Sequence, residues 1–245
     1  MSAYLKALDS LQPWLSQLPE QWLAEAEVSH RLPGDSHLGL SFFFRDSNDY
    51  RAFLKACDLP ADWCDQEIKF QQLLDIVPRH WIKLSFKEQQ RVGWNRYFAF
   101  PPQKEAPLAS LRLLTKTFQG DVSLVEQTVL AVEKLGESGW FFSVKTTQGQ
   151  SRINLSWAAP PGLLALGLTE LHQEGLLNQE VVDYHLATLK QADTPRGYLT
   201  VQPGDPAQAA VDYKQESGYL KRRRHQGAEQ VTRYLPLSAL PNTCQ

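Results

Sequence analysis

Residues 141–157 read FFSVKTTQGQSRINLSW, and this stretch carries the pattern that decides the fold. Apolar and polar residues alternate on both sides of Gln148-Gly149-Gln150, with one face formed by Phe142, Val144, Ile153, Leu155 and Trp157. Alternation with a period of two is typical of half-buried strands, and a glycine between two such runs indicates a hairpin turn. The stretch therefore predicts an antiparallel β-hairpin with one apolar and one polar face.

The same alternation returns along the chain, in runs that include 38–45, 81–86, 198–202 and 209–214, while the run 93–100 is aromatic on both faces. Apolar residues at helical spacing separate these runs, at about 47–57, 107–118, 122–136, 161–174 and 178–191. From residue 80 the predicted order is hairpin, two helices, hairpin, two helices, hairpin. We expect an α+β fold of repeated α-β-β-α units, in which helices lie outside an antiparallel sheet or barrel.

No linker of low complexity interrupts the 245 residues, which predicts a single domain spanning 1–245. Its ends differ from the repeated part. Residues 1–35 are interpreted as an N-terminal helical segment and residues 215–245 as a basic C-terminal segment. The run Lys221-Arg222-Arg223-Arg224-His225 fits a solvated helix face or tail, with phosphate or nucleic-acid contact as the alternative. Residues 231–237 are compatible with one more edge strand.

The amino-acid composition limits which partners and which cellular compartment we expect. Lys plus Arg number 25 against 27 Asp plus Glu, so no global charge favours nucleic acid. No apolar run approaches the ~20 residues of a membrane-spanning helix, and the N-terminus lacks a signal-peptide pattern. An odd number of cysteines fits a reducing compartment, so we expect a cytoplasmic protein without a Cys57–Cys64 disulfide.

The polar faces of the predicted strands are rich in cations. They carry five cations and one acid, although acids slightly exceed bases in the whole chain. The full set is Ser41, Arg45, Lys83, Ser85, Ser143, Lys145, Arg152, Asn154, Ser156, Tyr198, Thr200, Gln202, Asp212 and Lys214. Cations beside neutral donors suit the oxygens of a phosphate group. The alternative is a sheet face that is simply exposed to water.

On the motifs WIKLS, FSVK, RINLSW, YLTV and VDYK, residues 80–214 resemble the aromatic prenyltransferases of the ABBA type. The resemblance implies a barrel of α-β-β-α units with the strands inside. It also implies that the diphosphate of an allylic prenyl donor is held by side chains projecting into the barrel, for which the candidates are Arg45, Lys83, Lys145, Arg152, Asn154, Tyr198 and Lys214.

Transfer of the prenyl group to an aromatic or indole-like acceptor develops an allylic cation, which aromatic faces stabilise. The candidate lining residues are Phe43, Trp81, Trp94, Tyr97 and Phe141. The expected partners are thus a prenyl diphosphate and an aromatic acceptor. No cofactor or metal site is expected, with Mg²⁺ left open. Two alternatives remain: a non-catalytic binding or assembly protein that uses its sheet face or basic C-terminal segment, and another enzyme of phosphorylated or carboxylated molecules.

Overall fold

A computed structural model describes residues 3–32, 37–88, 90–103, 105–136, 138–190, 196–215, 218–225 and 228–240. In these ranges, the helices are α1 (Ala3–Leu15), α2 (Glu20–Ala24), α3 (Ser47–Ala56), α4 (Trp63–Leu73), α5 (Leu108–Thr117), α6 (Val122–Glu133), α7 (Pro161–Gln173) and α8 (Gln179–Leu189). The strands are β1 (Glu27–Leu32), β2 (His37–Phe44), β3 (His80–Lys87), β4 (Gln90–Gln103), β5 (Ser138–Thr147), β6 (Gln150–Ala159), β7 (Gly197–Val201), β8 (Ala209–Gln215), β9 (Gly218–His225) and β10 (Ala228–Pro236).

The strands form a closed antiparallel barrel in which each strand pairs with the strands before and after it in the chain. Pairing of β10 with β1, from Glu27↔Pro236 to Leu32↔Val231, completes the ring. A pair of helices precedes each of the first four hairpins, whereas β9 follows β8 directly. The α+β fold class is therefore confirmed, and the barrel contains two hairpins beyond the three predicted from residue 80 onward.

The hairpin of β5 and β6 has the predicted faces. Phe142 pairs with Leu155, and both side chains are buried on the outer face of the barrel. The turn residues Gln148 and Gly149 have φ values of 50° and 79°. Two successive positive φ values are typical of a two-residue hairpin loop, whose twist matches that of the flanking strands. The polar residues of this hairpin consequently face the interior of the barrel.

The hydrophobic core lies between the barrel and its helices. One cluster joins the strands to α5–α8, and a second joins them to α1–α4. At Gly167 on α7, a Cβ atom would lie 2.5 Å from Trp157 Cζ3, so the helix backbone packs directly on the indole ring. Because the apolar faces are buried outward, the barrel interior is left to the polar faces.

Both terminal segments contribute strands, which corrects their interpretation from sequence. Residues 27–32, placed in the N-terminal helical segment, form β1, and most of the basic C-terminal segment forms β9 and β10. Moreover, β10 is no edge strand, because its backbone pairs with both β9 and β1. Cys57 and Cys64 are free, as predicted, while Cys244 lies outside the described residues. In the described part of the chain, no helix is long and apolar enough to span a membrane.

Candidate functional site

The interior of the barrel encloses a polar cavity of about 130 Å³, here called the lumen cavity. Among the described residues, nine of the ten strands contribute to its wall, because alternate residues of each strand point inward. Five cations line it: Arg31, Lys83, Lys145, Lys221 and Arg223. Neutral polar side chains complete its wall: Ser29, Ser85, Asn95, Tyr97, Ser143, Asn154, Ser156, Thr200, Gln230, Thr232 and Tyr234.

Lys83 lies across β2 and reaches toward β10. A Cβ atom on Gly39 would lie 2.3 Å from Lys83 Cε, so glycine at this position makes room for the lysine side chain. The Lys83 amine donates a hydrogen bond to the Tyr234 hydroxyl at 3.3 Å and lies 4.5 Å from the centre of the tyrosine ring. The lysine is thus held in place by a neutral partner.

Burial and neighbouring cations weaken the protonation of the lumen amines. Desolvation, followed by the charges of Lys221 and Lys145, lowers the pKa of Lys83 from 10.5 to about 7. Desolvation and the charge of Arg223 lower the pKa of Lys145 to about 8. Desolvation also lowers the pKa of Arg223, although a guanidinium stays charged. An anion entering the cavity would relieve this repulsion.

Lys221 is the lumen amine with a carboxylate partner. Its Nζ lies 2.7 Å from Asp212 Oδ2 and donates a longer hydrogen bond of 3.5 Å to Thr200 Oγ1. Asp212 Oδ1 is buried without a hydrogen-bond partner among the described residues. Burial, opposed by the charge of Lys83, raises the pKa of Glu27, a second carboxyl group on the inward parity of β1. Among the described residues, these two carboxyl groups are outnumbered by the five lumen cations, so this part of the lumen is basic.

Aromatic rings fill the inward positions at the other end of the barrel. Trp81 stacks on Phe43 at 5.1 Å and on Tyr97 at 4.0 Å between ring centroids. Phe141 packs edge-on against Trp81 and also contacts Tyr198, at 5.5 Å. We call Phe43, Trp81, Tyr97, Phe141 and Tyr198 the aromatic cluster. Its rings contact each other in stacked and edge-to-face arrangements, which are the favourable geometries for aromatic pairs and hold the side chains in place.

Chain connectivity places Arg31 and Lys145 toward one end of the barrel and the aromatic cluster toward the other, with Lys83 and Lys221 at intermediate levels. Phe43, Trp81 and Tyr198 lie one residue from the strand ends that connect to helices. Arg31 and Lys145 lie near the strand ends that connect to hairpin turns. The lumen therefore changes from basic beside the turns to aromatic beside the helix connections.

The predicted diphosphate residues do not all lie together in the structure. Lys83, Lys145 and Asn154 line the cavity. Tyr198 belongs instead to the aromatic cluster.

Arg45 and Arg152 do not line the cavity. Arg45 lies outside the barrel, contrary to the sequence prediction, because it follows the end of β2. Its side chain is 82% exposed and pairs with Glu25. Arg152 lies beside the β5–β6 turn and is exposed. Lys214 is on β8, and its side chain lies outside the described part of the structure.

Of the predicted aromatic lining, Phe43, Trp81, Tyr97 and Phe141 join the aromatic cluster. Trp94 does not join this cluster, contrary to the sequence prediction. It has the outward parity of β4, pairs with Leu84 and packs 5.7 Å from the ring of Trp63 on α4. Its ring therefore belongs to the core outside the barrel.

Sequence reasoning missed Arg31, Lys221, Arg223 and Tyr234 as lumen residues. Three of these four lie on β9 and β10, in the segment interpreted as a basic tail. The sequence signal that could have placed Lys221 and Arg223 in the lumen is their alternation with Leu220 and Arg222.

Among the described residues, no group of three His, Cys, Asp or Glu side chains is placed to hold a metal ion. No protein-family model matches the chain, and its sequence has no significant match among curated proteins.

Proposed function

We propose that the lumen binds the diphosphate of an allylic prenyl donor and that the protein transfers the prenyl group to an aromatic or indole-like acceptor. The observation that carries the proposal is the change along one barrel lumen from cations beside the turns to aromatic rings beside the helix connections. The two products of ionisation need these two environments: an anionic leaving group beside cations, and an allylic cation beside aromatic faces.

The basic part of the lumen suits a diphosphate. Lys83, Lys145 and Arg223 come from three different strands and line one cavity, while Asn154 and the hydroxyl groups around them provide neutral donors. Hydrogen bonds between ionised partners are stronger than neutral ones, most of all where water is excluded. A diphosphate would bring the negative charge that this cluster of cations lacks.

The volume of the cavity favours a second candidate function. Small-molecule sites usually enclose ~300–1,000 Å³, whereas the lumen cavity encloses about 130 Å³. This space suits a small anion better than a prenyl donor together with its acceptor. The second candidate is accordingly a non-catalytic protein that binds a small phosphorylated molecule in the barrel.

Binding of inorganic pyrophosphate tests both candidates, and two adjacent arginines offer a matched pair of variants. Arg223 lines the cavity, whereas Arg222 faces outward and pairs with Glu229 at 2.8 Å. By calorimetry, Arg223→Met should weaken binding by at least tenfold, since a hydrogen bond to a charged group is worth about 1.5–3 kcal/mol. Arg222→Met should bind pyrophosphate like the parent protein. Equal affinity of all three proteins would exclude an anion site in the lumen.

Catalysis is tested separately by incubation with dimethylallyl diphosphate and phenol- or indole-containing acceptors, with detection of prenylated product by mass spectrometry. Product formation that is lost in Arg223→Met supports the transferase. Pyrophosphate binding without product from any acceptor supports the non-catalytic candidate instead.

A further inference from the structure

We infer that the Lys83 amine forms a Schiff base with the carbonyl group of a small anionic aldehyde or ketone bound in the lumen cavity. This reactivity goes beyond prenyl transfer, since a prenyl diphosphate has no carbonyl group. It uses the same enclosed cavity and the same surrounding cations.

The first argument is the setting of the amine. Lys83 lies on the cavity wall, and among the described residues it makes no ion pair. Its hydrogen-bond partner is the neutral Tyr234 hydroxyl. A lysine that is desolvated or next to other cations loses its proton readily, and the neutral amine is the nucleophile in Schiff-base chemistry. Its lowered pKa, about 7, agrees with this geometry.

The charged groups around Lys83 come from several strands, and most of them oppose its protonation. Lys145 on β5, Lys221 on β9 and Arg31 on β1 lower its pKa, whereas Asp212 on β8 raises it. Asp212 is already paired with Lys221 at 2.7 Å. Lys83 is therefore better suited to act as a nucleophile than Lys221, whose charge is held by a carboxylate.

The second argument is that the site supplies the other parts of the reaction. Lys145 and Arg223 line the same cavity and suit a phosphate or carboxylate on the substrate. The Tyr234 hydroxyl lies 3.3 Å from the amine. Burial raises the pKa of Tyr234 well above its usual value, so the hydroxyl stays protonated and can donate a hydrogen bond to a forming oxyanion.

The step balances without an oxidant or reductant. The Lys83 lone pair forms the C–N bond while the carbonyl π pair moves to oxygen, which takes a proton. The nitrogen then loses one proton to solvent, and the hydroxyl group takes up a second proton and leaves as water. The nitrogen lone pair forms the C=N bond of a protonated Schiff base. A cavity of about 130 Å³ suits a substrate of a few carbons.

Reductive trapping tests the inference. The intact protein is incubated with glyceraldehyde 3-phosphate or with uncharged glyceraldehyde, in the presence of cyanoborohydride, and adducts are located by peptide mass spectrometry. Lys87, exposed on the same strand, is the internal comparison. We expect the phosphorylated aldehyde to label Lys83 at least tenfold faster than Lys87 at pH 7. We also expect uncharged glyceraldehyde to show a smaller preference for Lys83 than the phosphorylated aldehyde does, and pyrophosphate to suppress the Lys83 adduct.

Variants give an independent readout. Lys83→Met should lose the main adduct, and Lys87→Met should keep it. Should Lys83→Met fail to fold, the labelling rates of Lys83 and Lys87 within the parent protein still test the inference. Labelling of Lys83 no faster than that of Lys87 would overturn the inference.

The result can be separated from the proposed function. Pyrophosphate binding without an adduct contradicts the amine chemistry alone. An adduct that pyrophosphate does not suppress supports the amine chemistry and contradicts the diphosphate site.

Discussion

Lys221 and Asp212 face each other on the adjacent strands β9 and β8, with Lys221 Nζ 2.7 Å from Asp212 Oδ2 inside the barrel. Their side chains are 19% and 18% exposed. The pair links β9, which together with β10 closes the barrel, to the preceding strand β8. It also holds one lumen cation in a fixed position, away from an incoming anion.

We expect Asp212→Asn to lower the free energy of unfolding by about 1–3 kcal/mol, because it leaves a partly buried ammonium without its carboxylate. The same variant should bind pyrophosphate more tightly, since Lys221 becomes available to the anion. Urea unfolding and calorimetry measure the two effects. The double variant Asp212→Asn/Lys221→Met should recover much of the lost stability. A double variant as unstable as the sum of its single variants would contradict this coupling.

Anion binding should take up protons at pH 8, because Lys83 and Lys145 have pKa values of about 7 and about 8 in the free protein. A bound anion favours their charged forms and raises both pKa values. Calorimetry at pH 8 in buffers of different protonation enthalpy measures the uptake. We expect a smaller uptake for Lys83→Met than for the parent protein, since the ionisation of pyrophosphate itself is common to both. Identical uptake would show that Lys83 does not respond to the anion.

The effect of Lys83 on stability should depend on pH. Its pKa is lowered from 10.5 to about 7, so between these values the unfolded chain holds a proton that the folded protein has lost. The free energy of unfolding therefore rises with pH across that window. The cost of burying the Lys83 ammonium in the folded protein is greatest below pH 7. Lys83→Met removes this cost and should stabilise the protein by about 1–3 kcal/mol more at pH 6 than at pH 9. Urea unfolding at the two pH values measures this, and Lys87→Met should show no such difference.

Period-two alternation in the sequence was enough to predict the faces of β5 and β6, and with them Lys145 and Asn154 in the lumen. It failed where both faces have the same character. In β9 the consecutive cations Arg222 and Arg223 point outward and inward, and Leu220 was the one apolar residue in the run that could have told the two faces apart. In β4 both faces are aromatic, so Trp94 and Tyr97 looked equivalent although they lie on opposite sides.

Helix α4 shows a different limit of sequence patterns. It was not predicted, because its buried face carries Cys64, Glu67 and Gln71 in place of a stripe of large apolar residues. Polar residues are buried in this way when they find partners in the tertiary structure, and those partners are distant in the sequence. Glu67 pairs with His80 on β3 and Arg96 on β4.

This buried cluster should contribute strongly to stability. Glu67 Oε2 lies 3.4 Å from His80 Nδ1, and Glu67 Oε1 lies 3.7 Å from Arg96 Nε, with all three side chains at most 3% exposed. Removing one partner of a buried ionic group costs about 3–5 kcal/mol, so Glu67→Gln should lower the free energy of unfolding by that amount. Asp65→Asn, which breaks the exposed pair with Arg51, should change it by less than about 1 kcal/mol. Equal effects in urea unfolding would show that the cluster is not a structural anchor.

Gly39 offers a way to move the Lys83 amine without removing it. A Cβ at this position would lie 2.3 Å from Lys83 Cε and 2.5 Å from Ser29 Oγ, and both atoms belong to side chains that can turn away. Gly39→Ala should therefore fold with a loss of stability below about 1.5 kcal/mol, close to that of other small packing changes. Displacement of the amine should weaken pyrophosphate binding several-fold and reduce the labelling of Lys83 by the phosphorylated aldehyde. The control is Gly162→Ala on α7, where a Cβ meets no atom within 4 Å. Parent-like binding and labelling in Gly39→Ala would show that the position of the Lys83 amine over Gly39 does not matter for either reaction.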